Sequence, residues 1–193
     1  AGLTSTPLGG LTTTPVAGLT TTQVRAIETT DLAAMSSTQI GVLNTTNIGA
    51  LTTTQVAALE TTDVAILNST QLNALTATLV DNLTTTQLAV VSTTQIGSLG
   101  TTQIRGFNTT QIAALSSTQV GVLNSTQLTA LSTTQIQGLD TTDVAALSTT
   151  QIAFLSTTQI LALNSTQFGA IETTDLAVLT TTQFLSLIHI SEP

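Results

Sequence analysis

The sequence predicts an all-α solenoid of about 23 very short helices, one helix in each eight-residue repeat. Three observations predict it. An octad, seen cleanly at Leu51–Ala58 as LTTTQVAA, recurs 23 times from Leu3 to Ser186 without insertion or deletion. Positions 1 and 6 of every octad hold a large apolar side chain. Position 2 is Ser, Thr, Asn, Asp or Gly in 20 of the 23 octads, and these residue types favour helix N-caps.

The helix boundaries follow from the same positions. With the N-cap at position 2, the frequent Gln at position 5 becomes the third helical residue, where it closes a capping box onto the cap. Positions 1 and 6 then form a hydrophobic staple across the helix start. The octad therefore predicts a helix of about two turns over positions 3 to 8. Position 7 also holds polar residues such as Arg25, Asp81 and Arg105, so we expect it to face solvent.

A β-solenoid is the alternative. Positions 4, 6 and 8 alternate with the more polar positions 5 and 7 at the two-residue period of a strand, and Thr, Val and Ile favour strands. Pro7 and Pro15 at position 5 favour the helical interpretation, because Pro is tolerated in a first helical turn but removes a ladder hydrogen bond from a sheet.

Isolated two-turn helices are not stable in water, so each octad must bury positions 1 and 6 against other octads. This requirement is typical of a solenoid, in which stacked repeats bury a hydrophobic core that no single repeat can bury. The number of octads in each turn of the solenoid cannot be read from units that are nearly identical.

Composition excludes several classes of function. Charged residues make up 6% of the 193 residues, against roughly 25% in typical domains. The formal charge of −8 with two arginines and no lysine argues against nucleic-acid partners and anionic membranes. The absence of Cys excludes disulfides and thiolate metal sites. No apolar run is long enough for membrane insertion as a spanning helix.

We expect one repeat array over residues 1–184, which is a fragment of a longer array. The final segment, Leu185–Pro193, reads LSLIHISEP and abandons the octad. It resembles the in-frame translation of a common sequencing-library adapter, which indicates a non-native tail on a metagenomic fragment. The single His of the chain, His189, lies in this tail. With no phosphate loop or dinucleotide motif either, the sequence predicts neither an enzyme nor a cofactor.

Acidic pairs are the sharpest local feature. Wherever Asp occupies position 5, position 2 of the same octad is also acidic. Clustered carboxylates suit hard cations, so a weak Ca²⁺ site is one interpretation. The favoured interpretation is that these acids interact with the positive helix start and keep the surface soluble. Asp31 and Asp63 are 32 residues apart, as are Asp143 and Asp175, which suggests that these pairs stack on one another. The pairs are Glu28 with Asp31, Glu60 with Asp63, Asp140 with Asp143, and Glu172 with Asp175.

The octad L-[STN]-T-T-[QD]-[VIL]-A-A resembles repeat tracts of very large bacterial surface or secreted proteins of the adhesin, haemagglutinin or haem-utilisation type. The resemblance covers Leu3 to about Phe184. It implies a non-catalytic extracellular stalk or adhesive scaffold on the bacterial cell surface. Its implied partners are neighbouring repeats of the parent protein and a cell-surface or protein ligand. The alternative is a binding solenoid that recognises a partner or a surface, including ice, through a regular Thr and Ala face.

Overall fold

The computed structural model describes residues 8–188, and all regular structure in that range is helical. It consists of one short 3-10 helix, Leu8–Gly10, and 22 α-helices. Each α-helix begins at position 3 of its octad and ends between positions 6 and 8, apart from the longer last helix. The prediction of one short helix in each octad is confirmed, and the β-solenoid alternative is wrong for this part of the chain.

The chain divides into two compact units, Ala1–Val91 and Ser92–Pro193. The first unit contains α1 Thr13–Ala17, α2 Thr21–Arg25, α3 Thr29–Ala34, α4 Ser37–Gly41, α5 Thr45–Gly49, α6 Thr53–Ala58, α7 Thr61–Ile66, α8 Ser69–Leu72, α9 Ala77–Asp81 and α10 Thr85–Ala89. The second contains α11 Thr93–Ser98, α12 Thr101–Gly106, α13 Thr109–Ala113, α14 Ser117–Gly121, α15 Ser125–Ala130, α16 Thr133–Gly138, α17 Thr141–Ala145, α18 Thr149–Phe154, α19 Thr157–Ala162, α20 Ser165–Gly169, α21 Thr173–Leu176 and α22 Thr181–Ile188.

Most helix starts are fixed by capping boxes, as the octad predicts. Before α6, Thr52 has the extended backbone of an N-cap, with φ −82° and ψ 161°. Its hydroxyl oxygen accepts a hydrogen bond of 3.2 Å from the Gln55 N–H, and its own N–H donates to Gln55 Oε1 at 2.9 Å. Both groups are main-chain donors that a helix start would otherwise leave without partners. Because every signal is local, the sequence alone places the boundary.

Pro15 shows how the helix start accepts proline. It is the third residue of α1, where an α-helix tolerates the missing N–H. Thr12, the N-cap residue, makes no side-chain cap bond, since the residue it would accept from is a proline. Pro7, the other proline at position 5, lies outside the described residues.

Each helix packs on the third helix along the chain. In the first unit α3 contacts α6, α4 contacts α7, and α7 contacts α10; in the second, α13 contacts α16 and α16 contacts α19. One turn of each solenoid therefore contains three octads, or 24 residues. This stacking rule determines which side chains of different octads meet.

The core of each unit is built from positions 1 and 6. In the octad of α6, Val56 is fully buried and Leu59, the first residue of the next octad, is 5% exposed. Position 7 lies outside the core but close to the next coil. A Cβ at Gly49 would lie 2.9 Å from the carbonyl oxygen of Ala74, so this contact between coils requires glycine.

The last helix runs past the end of the octad array. Helix α22 ends at Ile188, inside the segment that the sequence assigns to a non-native tail. His189 and the rest of that segment lie outside the described residues. The origin of the tail stays a prediction.

Candidate functional site

A row of buried amide side chains joins successive coils within each unit. We call it the glutamine ladder. Each member occupies position 5, is buried, and donates from its side-chain nitrogen to main-chain carbonyl oxygens of the preceding coil. Its members include Gln39, Asn47, Gln55, Gln71 and Gln87 in the first unit, and Gln127, Gln135, Gln151, Gln159, Gln167 and Gln183 in the second.

Gln55 shows the complete pattern. Its Oε1 accepts from the Thr52 N–H and so closes the capping box of its own helix. Its Nε2 donates two hydrogen bonds of 2.8 Å, to the carbonyl oxygens of Val24 and Ile27. These acceptors lie 31 and 28 residues earlier, at positions 6 and 1 of the coil below. One side chain thus begins a helix and fastens it to the previous coil.

The ladder was not foreseen from the sequence, which assigned position 5 to the capping box alone. A signal was present. The octad that has Gly100 as its N-cap still has a glutamine, Gln103, at position 5. Glycine has no side chain, so this octad cannot form the reciprocal capping box. Retention of the amide there indicates a second role, which the structure identifies as the bond to the preceding coil in the octads described above.

Aspartate replaces glutamine in the same slot. Asp63 and Asp143 are each 1% exposed and Asp175 is 5% exposed, whereas Asp31 is half-buried. The buried carboxylates accept hydroxyl hydrogen bonds from position 3 of the coil below. Ser117 Oγ donates to Asp143 at 3.2 Å and Thr149 Oγ1 donates to Asp175 at 2.7 Å. The expectation that these acids keep the surface soluble is therefore wrong for Asp63, Asp143 and Asp175.

The partner acids at position 2 do lie on the surface. Glu28, Glu60, Asp140 and Glu172 are exposed at their helix starts. The Asp143 N–H donates to Asp140 Oδ1 at 2.7 Å, which is the interaction with the helix start that the sequence favours. Among the described residues no group of three or more His, Cys, Asp or Glu is arranged to hold a metal ion. Calcium binding by these pairs stays a prediction.

The pairs do not stack at the 32-residue spacing. A coil contains 24 residues, so octads four apart fall in different stacks of helices. Helix α3, with Asp31, packs on α6, whereas α7, with Asp63, packs on α4 and α10. The expectation of stacked acidic pairs is wrong because the repeat number in each turn is three rather than four.

Burial changes the acidity of two of these groups. Desolvation raises the pKa of Asp63 and of Asp143 above the ordinary value of 3.8. Hydrogen bonds from Ser37 and Ser117 partly oppose the increase in pKa, because they favour the charged form. Position 5 thus contains two buried carboxyls that hold protons more tightly than an ordinary aspartate does.

The outward surface is dominated by hydroxyl groups. Position 4 is Thr in all 23 octads, and in every described octad this residue is exposed. Some of these hydroxyls meet the cap of their own helix, as Thr54 Oγ1 does with Thr52 Oγ1 at 3.0 Å. The exposed face is therefore regular, polar and nearly uncharged.

An apolar stripe interrupts this surface in the first unit. Val42, Ile66 and Val90 follow one another at 24-residue intervals at the C-terminal ends of the stacked helices α4, α7 and α10. Ile66 is 47% exposed and Val90 is 39% exposed. A shallow depression of about 370 Å³ lies beside Ile66 and is lined in addition by Ser37, Thr38, Gly41 and Val42. The sequence did not predict this stripe, because it depends on the number of octads in a coil.

No helix in the described part of the chain has the length and apolar character needed to cross a lipid bilayer. Comparison with known families identifies the repeat. The ALTTAQ repeat profile matches this chain at residues 24–61, 88–125, 101–133 and 136–170, which together cover more than half of the 193 residues. No curated protein matches the chain. By its octads and by this match, the chain belongs to the ALTTAQ repeat family.

Proposed function

We propose that this chain is a non-catalytic structural module, a stalk or adhesive scaffold in a large extracellular bacterial surface protein. The main support for the proposal is the glutamine ladder. Positions 1, 5 and 6 of the octad are engaged in stacking, so the residues that define the repeat serve the solenoid itself. Membership of a repeat family supports the same conclusion.

The outward surface supports a scaffold role. Its exposed threonines and small residues repeat every eight residues, and charged residues are only 6% of the chain. A regular surface of this kind offers many equivalent weak contacts rather than one deep pocket. Such contacts gain strength when several act together. The partners we propose are the neighbouring repeats of the parent protein and a cell-surface or protein ligand.

The same geometry argues against catalysis. Hydroxyls at position 2 are engaged in caps, as in the bond of 3.2 Å from the Gln135 N–H to Ser132 Oγ. A nucleophilic hydroxyl needs a base beside it. The carboxylates that accept from Ser117 and Thr149 lie buried between stacked coils, and no histidine lies among the described residues.

Surface labelling tests the proposed location. An antibody raised against the purified chain is applied to intact and to lysed cells of the bacterium that encodes it. We expect equal labelling of the two samples, because a surface stalk is accessible from outside. Labelling that requires lysis would contradict the proposal. An antibody against a cytosolic protein, which must label lysed cells only, is the control for cell integrity.

Ice binding is the second candidate, and the continuous exposure of position 4 favours it. Threonine presents a hydroxyl and a methyl group together, and here it recurs at the same position of every described octad. If this face binds ice, a solution of the chain is expected to shape ice crystals and to separate the freezing from the melting temperature. Replacement of Thr54 and Thr126, both exposed, by lysine is expected to weaken the effect. Unshaped crystals with the wild-type chain would remove this candidate.

A further inference from the structure

The slot at position 5 is built for a hydrogen-bond donor. In the octad of α10, Gln87 Nε2 donates to the carbonyl oxygens of Val56 at 2.9 Å and Leu59 at 2.7 Å. A carbonyl oxygen has lone pairs and no proton, so it can only accept. An ionised aspartate in the same slot also can only accept. Asp63 and Asp143 therefore place an acceptor where the fold elsewhere places a donor.

A side chain as short as aspartate still reaches the acceptor. Asn47 has the same length as aspartate, and its Nδ2 donates to the carbonyl oxygen of Leu19 at 2.9 Å. Leu19 lies 28 residues earlier, as Ile27 does relative to Gln55. The corresponding carbonyls are those of Met35 for Asp63 and Leu115 for Asp143. A protonated carboxyl has the one donor that this bond needs.

The hydrogen bonds that these two carboxyls accept stabilise a buried negative charge only weakly. Asp63 accepts from the Glu60 N–H, at 3.2 Å to Oδ2, and from the side chain of Ser37. Asp143 accepts from Ser117 Oγ at 3.2 Å and from the Asp140 N–H at 3.4 Å. All of these donors are neutral groups. A buried carboxylate without a cation is costly, and it avoids that cost by binding a proton.

No cation faces either group in the described part of the chain. Helices α4 and α10, which pack on α7, and α14 and α20, which pack on α17, contain no charged residue. The charged groups that act on them are acids of the same sign at the two helix starts, Glu60 for Asp63 and Asp140 for Asp143. The arginines lie on α2 and α12, which pack on α5 and α15.

We propose that Asp63 and Asp143 are proton-linked joints between successive coils, so that each unit is more stable in mildly acidic than in neutral solution. On protonation, a proton from solvent binds one carboxylate oxygen. The resulting O–H donates to the main-chain carbonyl of the coil below, as Asn47 does. On ionisation that bond is lost and a negative charge faces carbonyl oxygens, so the contact between the two coils is weakened.

The direction of the pH effect follows from burial. Desolvation raises the pKa of both carboxyls in the folded chain above 3.8. A raised folded-state pKa means that the folded chain binds protons more tightly than the unfolded chain. The stability from this source is fully present below the unfolded pKa and is lost as the pH rises through the folded pKa.

Thermal unfolding of the full chain tests the proposal. The variant Asp63→Asn with Asp143→Asn keeps side-chain length and supplies a permanent donor. The charge-matched control is Glu28→Gln with Asp81→Asn, because both residues are exposed. Melting is followed by circular dichroism from about pH 4, near the pKa of an unfolded aspartate, to about pH 8, in salt sufficient to screen exposed charges.

We expect the melting temperature of the wild type and of the control to fall with rising pH, and that of the Asn variant to change little. At neutral pH the Asn variant is expected to melt about 4 °C or more above the wild type. Parallel curves for all three proteins would overturn the proposal, because exposed charges alone then explain the trend. An Asn variant that melts below the wild type at every pH would also overturn it.

A measurement on the wild type avoids dependence on the variants. Carbon-13 NMR of the aspartate carboxyls reports each protonation step directly. We expect the Asp63 and Asp143 signals to change at higher pH than the carboxyl signal of an aspartate in a short reference peptide, about pH 3.9. Signals of Asp63 and Asp143 that change at or below the pH of the reference peptide would overturn the proposal.

Discussion

Replacement of Gln55 by alanine is expected to lower the free energy of unfolding of the first unit by about 2–4 kcal/mol. The change leaves the carbonyls of Val24 and Ile27 and the N–H of Thr52 without their present partners. These groups lie where water has little access, so most of their desolvation cost remains. Urea unfolding followed by circular dichroism measures the effect.

Two further variants separate the bond between coils from the capping box. Gln23 forms the same box with Thr20, but its side chain is exposed. Gln23→Ala should therefore cost about 1 kcal/mol or less. Gln55→Asn should fall between wild type and Gln55→Ala, because Asn47 keeps one bond to the preceding coil. Equal losses for Gln55→Ala and Gln23→Ala would show that the ladder adds no stability beyond the box.

Truncation of Ile136 to alanine is expected to cost about 2–5 kcal/mol. Ile136 is completely buried at position 6 of its octad, within α16. Helix α16 packs on both α13 and α19. A cavity at this point removes contacts on two sides, and the bond from the side-chain nitrogen of Gln167 to the Ile136 carbonyl oxygen holds the adjacent coil in place. Urea unfolding of the second unit is the measurement.

Leu161→Ala provides the matched control for Ile136→Ala. Leu161 belongs to the same unit but is 42% exposed at position 7 of its octad. Its truncation should change stability by roughly 0.5 kcal/mol or less. If the two substitutions cost the same, position 6 does not form the core of the repeat.

The helix boundaries were predictable because their causes are local. A residue such as Thr52 and its partner Gln55 are three positions apart, and the capping box identifies itself in a single octad. The buried positions 1 and 6 follow from the same octad, since the staple requires them. Proline at position 5 pointed to a helix for a physical reason, and Pro15 in the first turn of α1 agrees with it.

The stacking was not predictable, because nearly identical octads do not identify their partners. Val24 and Ile27 accept from Gln55 only once three octads make a coil, and nothing in Gln55 itself specifies that number. The error about stacked acidic pairs has the same origin. Burial of Asp63 and Asp143 was missed because their charge suggested the surface, whereas the slot at position 5 assigns them to the interior.

Three octads in each coil have a consequence for how such arrays change during evolution. Loss or duplication of one octad within a unit leaves each core position equivalent to the one it replaces, so burial and ladder bonds are renewed. The residues beyond the change, however, rotate by a third of a turn. If the change falls between Val42 and Val90, these two residues and Ile66 would no longer share one line. A change in the number of octads can therefore bring different exposed residues together on the surface of these arrays while the core contacts are conserved.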